Sequence, residues 1–187
     1  TEAYPFYLLV EYKDSSETAG AKRFESALFA QIENGLIIDA LLAQSHQDAE
    51  KFWQIRDGIG ELLQVLGPVS NQDISLPITE LGVFSADLEK RLKAKYSNMD
   101  VLLFGHIGDN NLHVVAYTGR EEDKADINRD IMLMIGEYQG AITAEHGVGV
   151  LKKDFLDQSR NPSEIALMKT LKTAMDPKGI LNPGRVI

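Results

Sequence analysis

Gly105-His106-Ile107-Gly108-Asp109-Asn110-Asn111-Leu112-His113 lies between two apolar runs, Val101 to Gly105 and Leu112 to Tyr117. Asp109-Asn110 is a two-residue turn signal in that setting, so the economical reading is a β-hairpin whose cross-strand partners are 108 with 111, 107 with 112 and 106 with 113. This register stands His106 directly opposite His113, with Cβ atoms about 4.5–5.5 Å apart, a separation from which two imidazoles reach one metal ion. Strand alternation then places Phe104, His106, His113, Val115 and Tyr117 on one face and Leu103, Ile107, Leu112, Val114 and Ala116 on the other. One face packs on helices and the other bears the site.

Further along, Glu145-His146-Gly147 holds another histidine, so that three of the four lie in these two segments. Glu145 is the acidic candidate for a third ligand. Two histidines and one carboxylate leave a coordination position open, which is a catalytic pattern, whereas a closed structural site uses four protein ligands. Taken singly, each histidine reads as a strand or loop residue with a hydrogen-bonded ring; the pairing is what points to a metal.

Composition narrows the classes. A chain of 187 residues with 44% hydrophobic and 25% charged residues has ordinary globular values, and that length is expected to form a single domain, 1–187, with a sizeable core. The 28 acidic against 19 basic residues give a net charge of −9, which argues against a phosphate-binding surface and so against nucleic acid as a partner. Without cysteine there can be no disulfide, zinc finger or thiol catalysis, and a metal site must be built from His, Asp and Glu. Apolar runs such as Phe6 to Val10 and Leu36 to Ala43 are too short, or interrupted by Asp39, to be a transmembrane helix or a signal peptide. The expected location is cytoplasmic or peripheral to a membrane, not secreted. The abrupt start, close to a strand, is that of an excised domain.

In chain order, Tyr4 to Tyr12 carries an aromatic strand signal, and a helix capped at Ser15 or Ser16 runs to about Glu33 before Asn34-Gly35. Leu36 to Gln44 reads as a second strand and Gln47 to Leu66 as one helix. Ser70 to Pro77 is extended, a helix follows to about Tyr96, and the histidine hairpin supplies two more strands. Acids at Glu121-Glu122-Asp123 suit the first turn of a helix ending near Tyr138, and a last helix covers Ser163 to Met175. The pattern predicts an α+β fold, a ferredoxin-like antiparallel sheet with helices on one face.

Five segments together resemble the carboxy-terminal substrate domain of the FAD-linked D-2-hydroxyacid dehydrogenases, a group of vanillyl-alcohol-oxidase-type flavoproteins that includes D-lactate dehydrogenase of the cytochrome type, D-2-hydroxyglutarate dehydrogenase and the glycolate oxidase flavin subunit. They are Trp53-Gln54-Ile55-Arg56, Asp73-Ile74-Ser75-Leu76-Pro77, the hairpin, Glu145-His146-Gly147-Val148-Gly149, and the closing stretch from Asp176 to Arg185. The resemblance implies that an amino-terminal FAD-binding domain, absent from this chain, holds most of the cofactor, and that this chain alone is inactive and colourless. It places His106, His113 and Glu145 on the family's divalent metal ligands, usually zinc; His146 on the general base; Arg56 on a contact to the substrate carboxylate; and Asn182 in a tail that returns toward the flavin. The implied partners are a small 2-hydroxy acid, the chain's own FAD domain and an electron acceptor of unknown identity, with a homodimer left open; a eukaryotic member would be mitochondrial. Two positions depart from the hydroxyglutarate-type pattern, Asn71 where a lysine is expected and Val115 where an asparagine is common, and both remove polar substrate contacts. The alternatives are a stand-alone metallohydrolase using the same two-His-one-Glu site, and a ferredoxin-like small-ligand binding module.

Overall fold

A computed structural model describes residues 4–185 and 187 and divides the chain into two compact units, 1–65 and 66–187. The first unit is helical. Its α1 (Glu17–Glu33) starts where the Ser16 hydroxyl accepts the Ala19 amide and ends at Asn34, after which Gly35 turns the chain at φ +72°. Helix α2 (His46–Asp57) begins with the Ser45 side chain accepting the Asp48 amide, and α3 (Ile59–Val65) follows directly. The single helix expected over 47–66 is therefore two, parted at Gly58, a residue that weakens any helix interior.

The strands expected at 4–12 and 36–44 do not form: the described residues there join no ladder. Aromatic and β-branched composition marks a segment that suits a pleated, half-buried surface, but a strand also needs a neighbour for its backbone N–H and C=O groups. Phe6, Leu8, Leu36 and Leu41 are exposed instead.

The second unit carries a three-stranded antiparallel sheet, β1 (Ser70–Ser75), β2 (Asp100–His106) and β3 (Asn111–Tyr117), in the order β1-β3-β2. Helix α4 (Leu81–Lys95) connects β1 to β2, and α5 (Lys124–Glu137) follows β3. This βαββα succession with the third strand central is the ferredoxin-like arrangement. The place of its last strand, along the outer edge of β1, is taken by one bridge between Ser75 and Ala141. Both helices lie on one face, as expected. Phe84, Leu88 and Leu92 recur at one turn's spacing on α4, Ile127, Ile131 and Ile135 do so on α5, and together they bury Ile74, Val114 and Ala116. Phe84 meets Tyr138 edge to face at 5.3 Å, and the Tyr138 hydroxyl donates to Asp87 at 2.8 Å.

The hairpin forms with a different register. Its connection is four residues long: a 3₁₀ turn over Ile107–Asp109 and Asn110 in the left-handed region at φ +62°. His106 consequently pairs with Asn111, and His113 pairs with Phe104. Asparagine tolerates the left-handed conformation better than most residues, which makes the longer turn accessible. The shift is two residues, so the face assignment survives. Beyond α5 come the short α6 (Gly149–Lys152), a 3₁₀ stretch over Lys153–Gln158 and α7 (Pro162–Met175). Helix α7 opens with a capping box between Asn161 and Glu164 and proline in its first turn, as its Asn-Pro start predicts.

Candidate functional site

The sheet face turned away from α4 and α5 is organised in cross-strand rows. Asp73, His113 and Phe104 form one row, Ser75, Asn111 and His106 the next, and Asn71, Val115 and Leu102 lie on the other side of the first. His113 stacks on Phe104 with ring centroids 5.0 Å apart, and its ring lies 6.3 Å from both the His106 and the His146 rings. Three of the four histidines thus gather at one end of the sheet.

Glu145 and His146 arrive on the segment that follows the Ser75–Ala141 bridge. Glu145 Oε1 approaches His106 Nδ1 at 3.5 Å, and Asp109 Oδ2 reaches the same nitrogen at 3.5 Å. His146 Nδ1 lies 3.8 Å from Asp73 Oδ2. The expected ligands His106, His113 and Glu145 do not fall in one grouping: Glu145 stands with His106 and Asp109 in one, and with His113 and Asp73 in another. In each, one ligand atom per residue lies within 4.8 Å of the others. The donors, imidazole nitrogens and carboxylate oxygens, are those a divalent cation such as zinc takes. Lys152 Nζ donates to the carbonyls of Asp73 at 2.9 Å and Ile142 at 2.8 Å.

Burial pushes the His113 imidazole below the ordinary histidine range, against the opposing pull of Asp73 and Glu145. It is therefore a neutral imidazole near pH 7. Burial also works to raise the Asp73 carboxyl, but the amides of Glu145, His146 and Ala144, with His146 itself, outweigh it and bring the group below its ordinary value. An ionised, buried carboxylate is stable there because it is fully hydrogen-bonded.

The model for the carboxy-terminal domain of FAD linked oxidases matches residues 1–186. The chain belongs to that family. As a member of the FAD-linked oxidase C-terminal domains it is 39% identical over 184 residues to the mitochondrial D-2-hydroxyglutarate dehydrogenase of Arabidopsis thaliana, covering 97% of this chain and 32% of that protein. It is 35% identical over 192 residues to the D-2-hydroxyglutarate dehydrogenase of Stutzerimonas stutzeri, covering 97% and 40%. It is 32% identical over 197 residues to a putative mitochondrial D-lactate dehydrogenase of Schizosaccharomyces pombe, covering 100% and 38%. The chain therefore spans about a third to two fifths of the length of these relatives. No helix among the described residues is long and apolar enough to cross a membrane.

Two further residues of this FAD-linked oxidase domain, Arg56 and Asn182, were expected at the site. Arg56 belongs to the first unit, near the end of α2, where its guanidinium meets Asp57 at 3.1 Å. Asn182 is exposed, at φ +45°, in a tail fastened to α7 by Asp176, which accepts the Ile180 and Leu181 amides at 3.0 and 2.9 Å. Four polar residues that serve the site carry no role in the sequence reading: Asp73, Asp109, Asn111 and Lys152. Asp73 had a signal, since aspartate is depleted from strands and this one sits between Gln72 and Ile74 in an extended run. Lys152 had none, because its contacts are to carbonyls distant in sequence.

Proposed function

We propose that this chain is the substrate- and metal-binding part of a flavin-dependent dehydrogenase that oxidises a D-2-hydroxy acid to the 2-oxo acid. The observation that carries the reading is the convergence of His106, His113, Glu145 and His146 on one sheet face in a chain of the FAD-linked oxidase family. Relatives named as D-2-hydroxyglutarate and D-lactate dehydrogenases support the class of acid. When bound, a divalent cation such as zinc supplies a Lewis acid to the substrate's hydroxyl oxygen, and FAD supplies the hydride acceptor.

In this reading His106, His113 and Glu145 hold the cation, with Asp109 close enough to His106 to orient its ring. His146 accepts the hydroxyl proton as the α-hydrogen leaves with its electron pair. Its largely exposed ring, beside the Asp73 carboxylate, can take that proton and hand it to solvent. Arg56 binds the substrate carboxylate through a planar guanidinium suited to bidentate pairing, and Asn182 approaches the flavin; both assignments rest on the family resemblance. The FAD domain, an electron acceptor and a homodimeric partner belong to the same proposal.

Steady-state reduction of an artificial electron acceptor by the full-length enzyme tests it. His146→Ala should lower kcat by roughly 10²–10⁴-fold with a modest change in KM, whereas Arg56→Ala should mainly raise KM, because a carboxylate contact acts in ground and transition states alike. A fully active His146→Ala enzyme refutes the mechanism.

A further inference from the structure

Asp73 stands on the central row of the site face, 4% exposed, on the strand beside His113. Its Oδ2 accepts three successive backbone amides, from Ala144 at 3.2 Å, Glu145 at 2.9 Å and His146 at 3.1 Å. Its Oδ1 accepts Asn111 Nδ2 at 3.2 Å. We infer that Asp73 is a positioning residue for the site: one buried carboxylate gathers the segment that carries Glu145 and His146 and fixes where both side chains start.

The first support is how the two oxygens are engaged. Asp73 lies within ligand distance of His113 and Glu145, but its Oδ2 already takes three amides, more than its two lone pairs serve singly, and its Oδ1 takes Asn111. The carboxylate is engaged chiefly in holding backbone.

The second is the way neighbouring groups are arranged around it. Asn111 must turn its amide nitrogen to the carboxylate, which cannot donate, and its own Oδ1 is left buried without a protein partner. A buried acceptor left without a partner is costly, so the bond to Asp73 is kept at the expense of its neighbour. Asn111 is also the ladder partner of His106. The carboxylate therefore links the hairpin end bearing His106, the strand bearing His113 and the segment bearing Glu145.

The third is a second tie at the same strand position. Lys152 Nζ joins the Asp73 carbonyl to the Ile142 carbonyl, and Thr143 Oγ1 donates to the Gly147 carbonyl at 3.0 Å, with Gly147 at φ +75°. Residues 143–147 thus close into a small cup whose amides point inward, an anion nest filled by an internal anion.

The test uses the full-length enzyme and reads amide hydrogen exchange together with zinc affinity. In Asp73→Ala the amides of 144–146 should exchange at least about tenfold faster while those of α5 stay as they were, and zinc affinity should fall about 10–100-fold, the usual cost of losing an outer-shell partner. Asp73→Asn keeps an acceptor of lower strength, so exchange at 144–146 should rise less and part of the affinity should return. If Asp73→Ala cannot be purified folded, Asp73→Asn carries the test. Wild-type exchange at 144–146 in whichever variant folds overturns the inference. The word "site" here rests on the proposed function, and the two fail separately. Faster exchange at 144–146, in an enzyme whose His106→Ala and His113→Ala forms hold as much zinc as wild type, upholds the anchor and removes the metal reading.

Discussion

Asn71 and Val115 stand directly opposite each other across the β1–β3 ladder, two residues along from the Asp73–His113 pair and on the same face. These are the two positions at which the chain departs from the hydroxyglutarate-type pattern, and the fold makes them one patch. Asn71 is exposed and Val115 is wholly buried. A patch of one amide and one isopropyl group offers no charge to a second substrate carboxylate. Monocarboxylic D-2-hydroxy acids should accordingly be used at least as well as D-2-hydroxyglutarate. Asn71→Lys should raise kcat/KM for the dicarboxylate about tenfold, the scale of one charge-assisted contact, with little change for D-lactate. A strong dicarboxylate preference in the unsubstituted enzyme counts against this.

Metal content is expected to follow the histidines and pH together. His106→Ala, His113→Ala and Glu145→Gln should each lower zinc retention sharply in equilibrium dialysis. Protons compete for the imidazoles, so occupancy falls as pH falls. Because burial lowers the His113 pKa, proton competition there should set in at lower pH than at an ordinary imidazole. Retention unchanged from pH 7 down to well below the imidazole range would exclude histidine ligation.

The gathering of His106 and His113 in the candidate site was legible in the sequence because both lie on elements with strong local signals. Strand alternation set His106 and His113 on one face, and that assignment held although the turn was longer than Asp109-Asn110 suggested. A register error of two residues moves partners without turning any side chain over. The role of Asp73 had only the hint of an aspartate inside a strand, and that of Lys152 none, since both come from hydrogen bonds to residues 10 to 79 positions away, which no local pattern encodes. Helices α4, α5 and α7 form close to where the sequence places them, because their signals are local, whereas the four-residue α6 was not expected. The segments at 4–12 and 36–44 show the limit of composition, because pairing depends on a neighbour that composition does not name.

Gly105 is the position in the hairpin where size alone decides. A Cβ there would sit 2.2 Å from the Asn111 carbonyl oxygen and 3.1 Å from the Leu112 Cα, both backbone atoms that cannot swing aside. Gly105→Ala should destabilise the domain by about 3 kcal/mol, the upper part of the usual range for overpacking, and disturb the Asn111 end of the hairpin that pairs with His106. Denaturant unfolding of wild type and variant reads the loss directly. An alanine variant of wild-type stability would mean that the strands do not approach this closely.

The three amides bound by Asp73 come from residues 71 to 73 positions along the chain, whereas the β2–β3 hairpin closes over a handful. Loop-closure entropy delays distant contacts until nearer ones have formed, so the order of assembly is built into the topology. The hairpin should be structured in the folding transition state, with φ-values well above zero at Leu103 and Val114, while Asp73→Asn should leave the folding rate nearly unchanged and speed unfolding. A chain that has made its sheet but not yet captured residues 144–146 would then be a compact species with two histidines in place and neither Glu145 nor His146 beside them, and the last step of folding would also be the step that completes the candidate site.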